Sequence, residues 1–179
     1  EDKRALGRAG AALVLPGQVV ILDGGTTSLQ VVQHLPLDLR ATVVTHSPTV
    51  AVALAGHAQV EVLMLGGRLF RHSMVNVGAS VVEAAAQLRV DLYLMGVTGV
   101  HAETGLTTGD FEEAAVKRAL HQRAAETVVL ASLDKLGTAS PFSVAPLREL
   151  AALVVPAATP RSLRKKLQAG GAKVEIAAG

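Results

Sequence analysis

The strongest constraint on the fold is a regular alternation of short apolar runs with segments of helical character. The runs are rich in Val, Leu and Ile, which suits strands that are buried on both faces of a sheet. They are Val19–Leu22, Thr42–Thr45, Val60–Leu65, Val90–Gly96, Thr127–Ser132, Ala152–Val155 and Lys173–Ile176. Helices are predicted at Asp2–Leu15, Ser28–Leu35, Pro48–Ala55, Ala79–Leu88, Phe111–Ala124 and Ser162–Gln168. The alternation predicts an α/β fold, a mostly parallel sheet with flanking helices.

Length and composition narrow the class of protein. A chain of 179 residues favours a single domain over residues 1–179, and only 2% of its residues are aromatic. The chain has no cysteine, which excludes disulfides, thiolate metal sites and cysteine nucleophiles. We find no apolar stretch of about 18 residues and no secretory leader, and therefore expect a cytoplasmic protein with no membrane partner.

Charge and histidine spacing give little support for several other functions. The net charge is +2, and the basic cluster at Arg161, Arg164, Lys165 and Lys166 is interpreted as a solvated helix face. The six histidines include no pair with metal-ligand spacing, and no Gly-x-Ser-x-Gly elbow is present. We therefore predict no metal, no cofactor and no hydrolase activity.

Small, hydroxylic or charged residues follow five of the predicted strands. These groups are Asp23 with its hydroxyl turn, Thr45-His46-Ser47, Gly66-Gly67-Arg68, Gly96-Val97-Thr98-Gly99 and Ser132-Leu133-Asp134-Lys135. In open parallel sheets, ligands bind at the carboxyl ends of the strands. The pattern predicts a ligand site at that edge. The stretch from Val97 to Gly109 is expected to be the largest irregular insertion.

The turn after the first strand has the composition of an anion cradle. Asp23, Gly24 and Gly25 lead into Thr26, Thr27 and Ser28 at the start of a predicted helix. Glycines let backbone N–H groups approach a ligand, and a helix N-terminus favours phosphate. The alternative is an ordinary turn in which Thr or Ser only caps the helix.

Further residues fit a phosphorylated ligand that carries several hydroxyl groups. Lys135 would supply a positive charge, Asp23 would accept hydrogen bonds from sugar hydroxyls, and Gly66 and Gly67 would offer backbone amides. An ordinary strand-exit turn explains the two glycines equally well. Asp110 and Glu113 have the spacing of a capping box, and Glu113 also precedes Lys117 by four residues. These two acids therefore have either a structural role or a place in the site.

Taken together, the segments resemble the effector-sensing domain of DeoR-family bacterial transcriptional regulators. The resemblance runs from Lys3 to about Val155 and rests on the order of several motifs. They are Ile21-Leu22-Asp23-Gly24-Gly25-Thr26-Thr27, Thr42-Val43-Val44-Thr45-His46-Ser47, Leu65-Gly66-Gly67, Asp91 to Val100, Gly105 to Ala119, and Val129-Leu130-Ala131 leading to Lys135-Leu136-Gly137. His46, Ser132-Leu133-Asp134-Lys135 and Val154-Val155-Pro156 depart from the family's usual Asn, Asp-Ser-Ser-Lys and Thr-Asp.

The resemblance implies a fold similar to ribose-phosphate isomerases and CoA transferases. It also implies a sugar phosphate or related metabolite as effector, a homo-oligomer, and a helix-turn-helix domain ahead of Glu1 through which DNA would be bound. Motifs and resemblance together predict an effector site made of Asp23, Gly24, Gly25, Thr26, Thr27, Ser28, Thr45, His46, Gly66, Gly67, Gly96, Asp110, Glu113 and Lys135.

The predicted function is therefore ligand sensing in a transcriptional regulator, most simply a repressor, without catalysis. Two alternatives stay open at this point. One is a sugar-phosphate isomerase that uses a carboxylate as general base, because fold does not decide function. The other is an oligomerisation domain with a degenerate pocket, which the three departures make credible.

Overall fold

A computed structural model describes residues 2–178 of the chain. Its elements, in chain order, are α1 (Asp2–Ala12), β1 (Val19–Leu22), α2 (Thr26–His34), β2 (Ala41–Thr45), α3 (Pro48–Ala53), β3 (Val60–Met64), β4 (Arg68–Phe70), β5 (Val75–Val77), α4 (Ala79–Ala85), β6 (Val90–Met95), β7 (Gly99–His101), β8 (Gly105–Thr108), α5 (Phe111–His121), β9 (Ala124–Leu130), β10 (Phe142–Ala145), β11 (Ala152–Val155), α6 (Arg161–Ala169) and β12 (Val174–Ile176). Short 3-10 turns lie at Leu54–Gly56, Leu133–Lys135 and Leu147–Glu149.

A seven-stranded sheet with every neighbouring pair parallel forms the centre of the fold. Its order is β12-β11-β9-β6-β1-β2-β3, so each of the seven predicted runs contributes one strand. The chain runs outward from β1 to β3 on one side and from β6 to β12 on the other. A crevice therefore opens at the carboxyl ends of β1 and β6, the position where such sheets bind ligands. The predicted fold class is confirmed.

Helices cover both faces of the sheet and divide the core into two clusters. Because successive strand residues point to opposite faces, Val20 and Leu22 of β1 join one cluster and Ile21 joins the other. The first cluster includes apolar residues of α1, α2 and α3, and the second includes those of α4, α5 and α6. The inner strands are consequently buried mostly on both sides, which explains their high Val, Leu and Ile content, whereas the edge strands β3 and β12 are largely exposed.

The prediction of an irregular insertion over Val97–Gly109 is wrong. This stretch contains β7 and β8, which pair antiparallel, and β8 also pairs antiparallel with β10. Gly105 makes the tight turn possible because its φ of 76° lies in the left-handed region. Strands of three or four residues carry too little periodicity to be recognised from sequence. The predicted last helix turn before Ala124 is also wrong, because α5 ends at His121 and β9 begins at Ala124.

A second antiparallel pair, β4 with β5, forms a hairpin beside the carboxyl end of the main sheet. Its connecting residues reach over the crevice, and Met74 within them has a positive φ of 51°. Asn76 holds the hairpin in place, since its N–H donates to the carbonyl of His46 at 2.7 Å and its side-chain amide donates to the carbonyl of Leu65 at 2.8 Å. Among residues 2–178, no helix combines the length and the apolar character that crossing a bilayer requires.

Candidate effector site

A cavity of about 430 Å³ lies in the crevice at the carboxyl ends of β1 and β6. This volume is within the range of small-molecule sites. The cavity brings together eight of the residues predicted from sequence, namely Asp23, Gly24, Gly25, Thr26, Thr27, Gly96, Glu113 and Lys135. They come from the turn after β1, the end of β6, the start of α5 and the 3-10 turn after β9. The predicted cluster at this edge thus converges on one cavity.

The structure places four other predicted residues outside the lining of the cavity. The Ser28 hydroxyl donates to the carbonyl of Gly24 at 3.3 Å, and the Thr45 hydroxyl oxygen accepts from the backbone N–H of Ser47 at 3.1 Å. Asp110 is the N-cap of α5, where its carboxylate accepts from the N–H of Glu113 at 2.8 Å. His46 is completely buried beneath Asp23. These residues support the lining and do not belong to it.

Gly66 and Gly67 lie outside the cavity, in the connection between β3 and β4. A side chain at Gly67 would approach the Val81 side chain to 2.6 Å and the Val77 carbonyl to 2.7 Å. This glycine is therefore required by close packing against α4 and β5. The arrangement fits the alternative interpretation of the pair as a strand-exit turn.

The start of α2 presents free backbone donors to the cavity. Gly25 is the N-cap residue with φ 96° and ψ 174°, a conformation that favours glycine. No side chain caps this helix, so the capping alternative for Thr26, Thr27 and Ser28 does not apply. The first N–H groups of a helix have no partner within it. Together with the helix dipole they make this end of the cavity favourable for an anion.

Gly24 is needed beside Gly25 for a different reason. A Cβ atom on Gly24 would lie 2.3 Å from Cγ1 of Val75, in the hairpin that covers the crevice. The glycine therefore lets the turn after β1 pack directly under the hairpin. One glycine of the pair sets the backbone conformation and the other allows the close approach.

Two lysines add positive charge at this end of the cavity. Lys135 lines it from the 3-10 turn after β9, and its ammonium lies 3.2 Å from the carboxylate of Asp134. A hydrogen bond from Ser132 at 2.5 Å is the main reason that the pKa of Asp134 is lowered. Lys3 of α1 also lines the cavity and donates to the Thr26 hydroxyl at 3.0 Å. Sequence reasoning did not single out Lys3, because nothing in the α1 sequence indicates which residues approach the crevice.

A second part of the wall is built on Asp23, whose carboxylate accepts five hydrogen bonds. The donors are the N–H of Gly24 at 2.8 Å, His46 Nε2 at 2.8 Å, the Tyr93 hydroxyl at 3.0 Å, the N–H of Gly96 at 3.0 Å and Lys117 Nζ at 2.5 Å. These donors fill the acceptor capacity of a carboxylate. Asp23 therefore has no capacity left for the sugar hydroxyls expected from sequence, and its position makes it the anchor of the wall.

His46 lies between two hydrogen-bonding partners. Its Nε2 faces the Asp23 carboxylate at 2.8 Å, and its Nδ1 faces the carbonyl oxygen of Asn76 at 2.9 Å. These two contacts fix the orientation of the buried ring.

The electrostatics of Asp23, Lys117 and Tyr93 follow from burial and mutual contact. Burial acts to raise the pKa of Asp23, but Lys117 and then His46 outweigh it and hold this pKa well below its ordinary value. Burial acts to lower the pKa of Lys117, yet the charges of Asp23 and Glu113 raise it overall. For Tyr93, burial and then the charge of Asp23 raise the pKa well above 10.0. All three groups thus keep their ordinary charge near neutral pH.

Glu113 is the lining carboxylate with acceptor capacity to spare. One oxygen accepts from the Ser73 hydroxyl at 3.2 Å, and the other lies 3.5 Å from Lys117 Nζ. Lys117 itself also donates to the carbonyl of Gly96 at 2.8 Å. Lys117 was recognised from sequence only as the helical partner of Glu113. Spacing of four residues does not tell which face of α5 is buried, so its place in the site was missed.

The part of the chain that the structure describes holds no group of three side chains arranged to bind a metal ion. The hairpin residues His72, Ser73 and Met74 also line the cavity and were missed, whereas Thr98, which lines it too, belongs to one of the polar groups predicted at the strand ends. The two short strands that flank these hairpin residues gave no sequence signal. The lining thus combines helix N–H groups and lysines with a carboxylate that keeps acceptor capacity.

Comparison with known proteins defines the class of this domain. The family described as "DeoR C terminal sensor domain" matches residues 1–156. The chain is 36% identical over 154 residues to the HTH-type transcriptional repressor GlcR of Bacillus subtilis, covering 86% of this chain and 59% of that protein. It is 32% identical over 174 residues to the HTH-type transcriptional regulator GlpR of Haloferax volcanii, covering 97% and 68%. The chain belongs to the DeoR family of transcriptional regulators, as their sensor domain.

Solved structures with similar folds include an enzyme and a translation factor. The chain matches ribose 5-phosphate isomerase A from Methanocaldococcus jannaschii with a TM-score of 0.53 and 18% identity, over 74% of this chain and 52% of that one. It matches the translation initiation factor eIF-2B from Pyrococcus horikoshii with a TM-score of 0.57 and 16% identity, over 85% and 61%. At such identities the likeness concerns the fold alone, and it confirms the isomerase-like architecture expected from sequence.

Proposed function

We propose that this domain senses a phosphorylated sugar or a closely related phosphorylated metabolite in the cytoplasm. In the complete regulator, occupancy of the cavity would change the DNA affinity of a preceding helix-turn-helix domain within a homo-oligomer, most simply that of a repressor. The chain spans 59% of the length of the GlcR repressor, which leaves room there for such a domain. A coupling free energy of about 1–3 kcal/mol between the two sites would be sufficient for regulation.

The observation that carries the proposal is the pairing of free helix donors with lysines at one end of the cavity. The N-terminus of α2 offers N–H groups that no side chain caps, and Thr26 and Thr27 add hydroxyls beside them. Lys135 faces the same space from a different strand end. A phosphate would satisfy these donors and lysines together.

The other end of the cavity supports recognition of hydroxyl groups. Glu113 keeps acceptor capacity, and the hydroxyls of Ser73 and Thr98 can both donate and accept. Asp23 is only 1% exposed, and its carboxylate already accepts five hydrogen bonds. This burial favours a role in binding over a role in catalysis. A general base must reach the proton that it removes, and only Glu113 among the lining acids retains that freedom.

Calorimetric titration of the chain with matched probes tests the proposal. D-Glucose 6-phosphate, D-fructose 1-phosphate and glycerol 3-phosphate are compared with the corresponding unphosphorylated compounds. We expect at least one phosphorylated probe to bind, and Lys135→Gln to weaken that binding about 10- to 100-fold, as the loss of a charge-assisted hydrogen bond would. The matched control is Lys166→Gln on exposed α6, which should bind as the wild type does.

Two results would contradict the proposal. One is a panel in which phosphorylated and unphosphorylated compounds bind equally well or not at all. The other is conversion of a bound sugar phosphate into its isomer, followed by nuclear magnetic resonance, which would assign the cavity to an enzyme.

A further inference from the structure

The first turn of α1 forms part of the cavity wall through a single long side chain. Lys3 reaches from α1 to the Thr26 hydroxyl, the first residue of α2, at 3.0 Å. Asp2, Lys3 and Arg4 are all exposed, whereas Ala5, Leu6 and Gly7 behind them are buried. Among the described residues, the hydrogen bond from Lys3 to the Thr26 hydroxyl is the one side-chain hydrogen bond that joins this turn to the cavity.

Lys3 and Lys135 approach the same opening from two independent elements. A shallow depression beside the cavity is lined by Asp2 and Lys3 of α1 and by Ser132, Leu133 and Asp134 of the turn that carries Lys135. Asp134 is engaged by Ser132 and Lys135, so its charge is already compensated. Lys3 has no carboxylate within ion-pair distance among the described residues. An ammonium has three donors, and Thr26 accepts one of them.

We propose that Lys3 is an effector-binding residue and that the anionic group of the effector, held between Lys3 and Lys135, fixes the first turn of α1. This inference rests on the proposed function and adds a mechanism of regulation to it. The anion would take the donors that Thr26 leaves free and would join α1 to the turn after β9. Because α1 is the element that follows the proposed DNA-binding domain, the same anion would restrict that domain's attachment.

The remainder of α1 already packs too closely to move freely. A Cβ atom on Gly7 would lie 2.6 Å from Cβ of Gln30 in α2, and one on Gly10 would lie 2.7 Å from the Leu130 side chain. Occupancy of the cavity can therefore change the order of the first turn without displacing the helix. The amide hydrogens of Leu6, Gly7 and Arg8 report on this turn, since in an α-helix they bond to the carbonyls of residues 2–4.

Hydrogen exchange and titration on the 179-residue chain test the inference. The probes are inorganic phosphate and D-glucose 6-phosphate, and the variant is Lys3→Gln. Arg4→Gln is the matched control, because it removes the same charge from the neighbouring residue, which does not line the cavity. We expect Lys3→Gln to weaken probe binding about tenfold, whereas Arg4→Gln leaves it unchanged. In the wild type and in Arg4→Gln, the bound probe should slow exchange at residues 6–8, and in saturated Lys3→Gln it should not.

The outcomes separate this inference from the proposed function. If the wild type binds neither probe nor any other compound of the phosphorylated panel, both fail. If the wild type binds and Lys3→Gln binds equally well, only the role of Lys3 fails. If Lys3→Gln weakens binding but saturated wild type shows no slower exchange at residues 6–8, the fixing of α1 fails.

Discussion

The two ends of the cavity differ in how completely their polar groups are satisfied. At one end, Asp23 accepts five hydrogen bonds, and His46, Tyr93 and Lys117 are directed at it from β2, β6 and α5 or the turns that follow them. At the other end, the first N–H groups of α2 lack caps and Lys135 is more than one-third exposed. The first end is closed and its buried charges are paired, and the second is open and positive.

This difference distinguishes the residues that stabilise the cavity from the residues that are available to bind a ligand. Buried charges are costly unless they are paired, so the Asp23 group must be complete before any ligand arrives. Free donors at a helix start cost little, because water reaches them, and they can exchange that water for phosphate. The comparison therefore predicts that substitutions at the closed end change stability and that substitutions at the open end change affinity.

The largest effect should follow removal of the buried cation. Lys117→Met keeps the length and helix propensity of the side chain but leaves Asp23 and Glu113 facing each other without it. We expect a loss of about 3–5 kcal/mol in the free energy of unfolding, measured by urea denaturation. Lys165→Met on exposed α6 is the control, with a change below about 0.5 kcal/mol. Equal stabilities of the two variants would contradict the conclusion that the closed end of the cavity stabilises the fold.

A smaller loss should follow removal of one donor to Asp23. Tyr93→Phe retains the buried ring and deletes the hydroxyl that donates to Asp23 at 3.0 Å. Since four other donors remain, we expect a loss of about 1.5 kcal/mol, at the low end for a hydrogen bond to a charged group. Urea denaturation measures it. An unchanged unfolding midpoint would show that the hydroxyl adds nothing to the closed end.

The pH dependence of the free energy of unfolding at alkaline pH tests the same hydroxyl in the wild-type chain. Burial and then Asp23 raise the pKa of Tyr93 above 10.0, so the folded state keeps a proton that the unfolded chain loses. The contribution of Tyr93 is therefore complete below about pH 10 and declines by about 1.4 kcal/mol per pH unit as the pH rises toward the folded-state pKa. Tyr93 is the single tyrosine of the chain, so phenolate absorbance reports it alone.

We expect the phenolate signal of Tyr93 to appear together with the loss of the helical circular dichroism signal. A phenolate that titrates near its ordinary pKa while the helices stay intact would mean that the hydroxyl is reached by solvent. That result would contradict a closed end built on Asp23.

The smallest change in stability is expected at the open end. Thr27→Ala should alter the free energy of unfolding by less than about 0.5 kcal/mol but weaken phosphate binding about fivefold, as the loss of one hydroxyl donor would. Ser28→Ala, at the next position, should do the reverse, because its buried hydroxyl donates to the Gly24 carbonyl. Chemical denaturation and calorimetry on both variants measure the contrast. If Ser28→Ala lost more affinity than Thr27→Ala, the boundary between the two ends would be misplaced.

The sequence was sufficient for the main sheet and for the location of the cavity. All seven strands follow from short runs rich in apolar residues, and the residues after β1, β6 and β9 converge because parallel strands end at one edge. It was not sufficient for the contacts of Lys117 or Lys3, because helical spacing does not show which residues meet another element. The β4–β5 hairpin escaped notice because three-residue strands carry no reliable period.

The close crossing of α1 over α2 at Gly7 has a mechanical consequence. Because Gly7 has no side chain, the two helices approach closely, and a Cβ there would also lie 2.8 Å from the carbonyl oxygen of Gln30. We therefore expect the two helices to move as one unit. Any small tilt at the beginning of α2 would be carried along α1, whose 11 residues extend over roughly 16 Å. A small rotation of the two helices at one end therefore produces a larger displacement at the far end of α1.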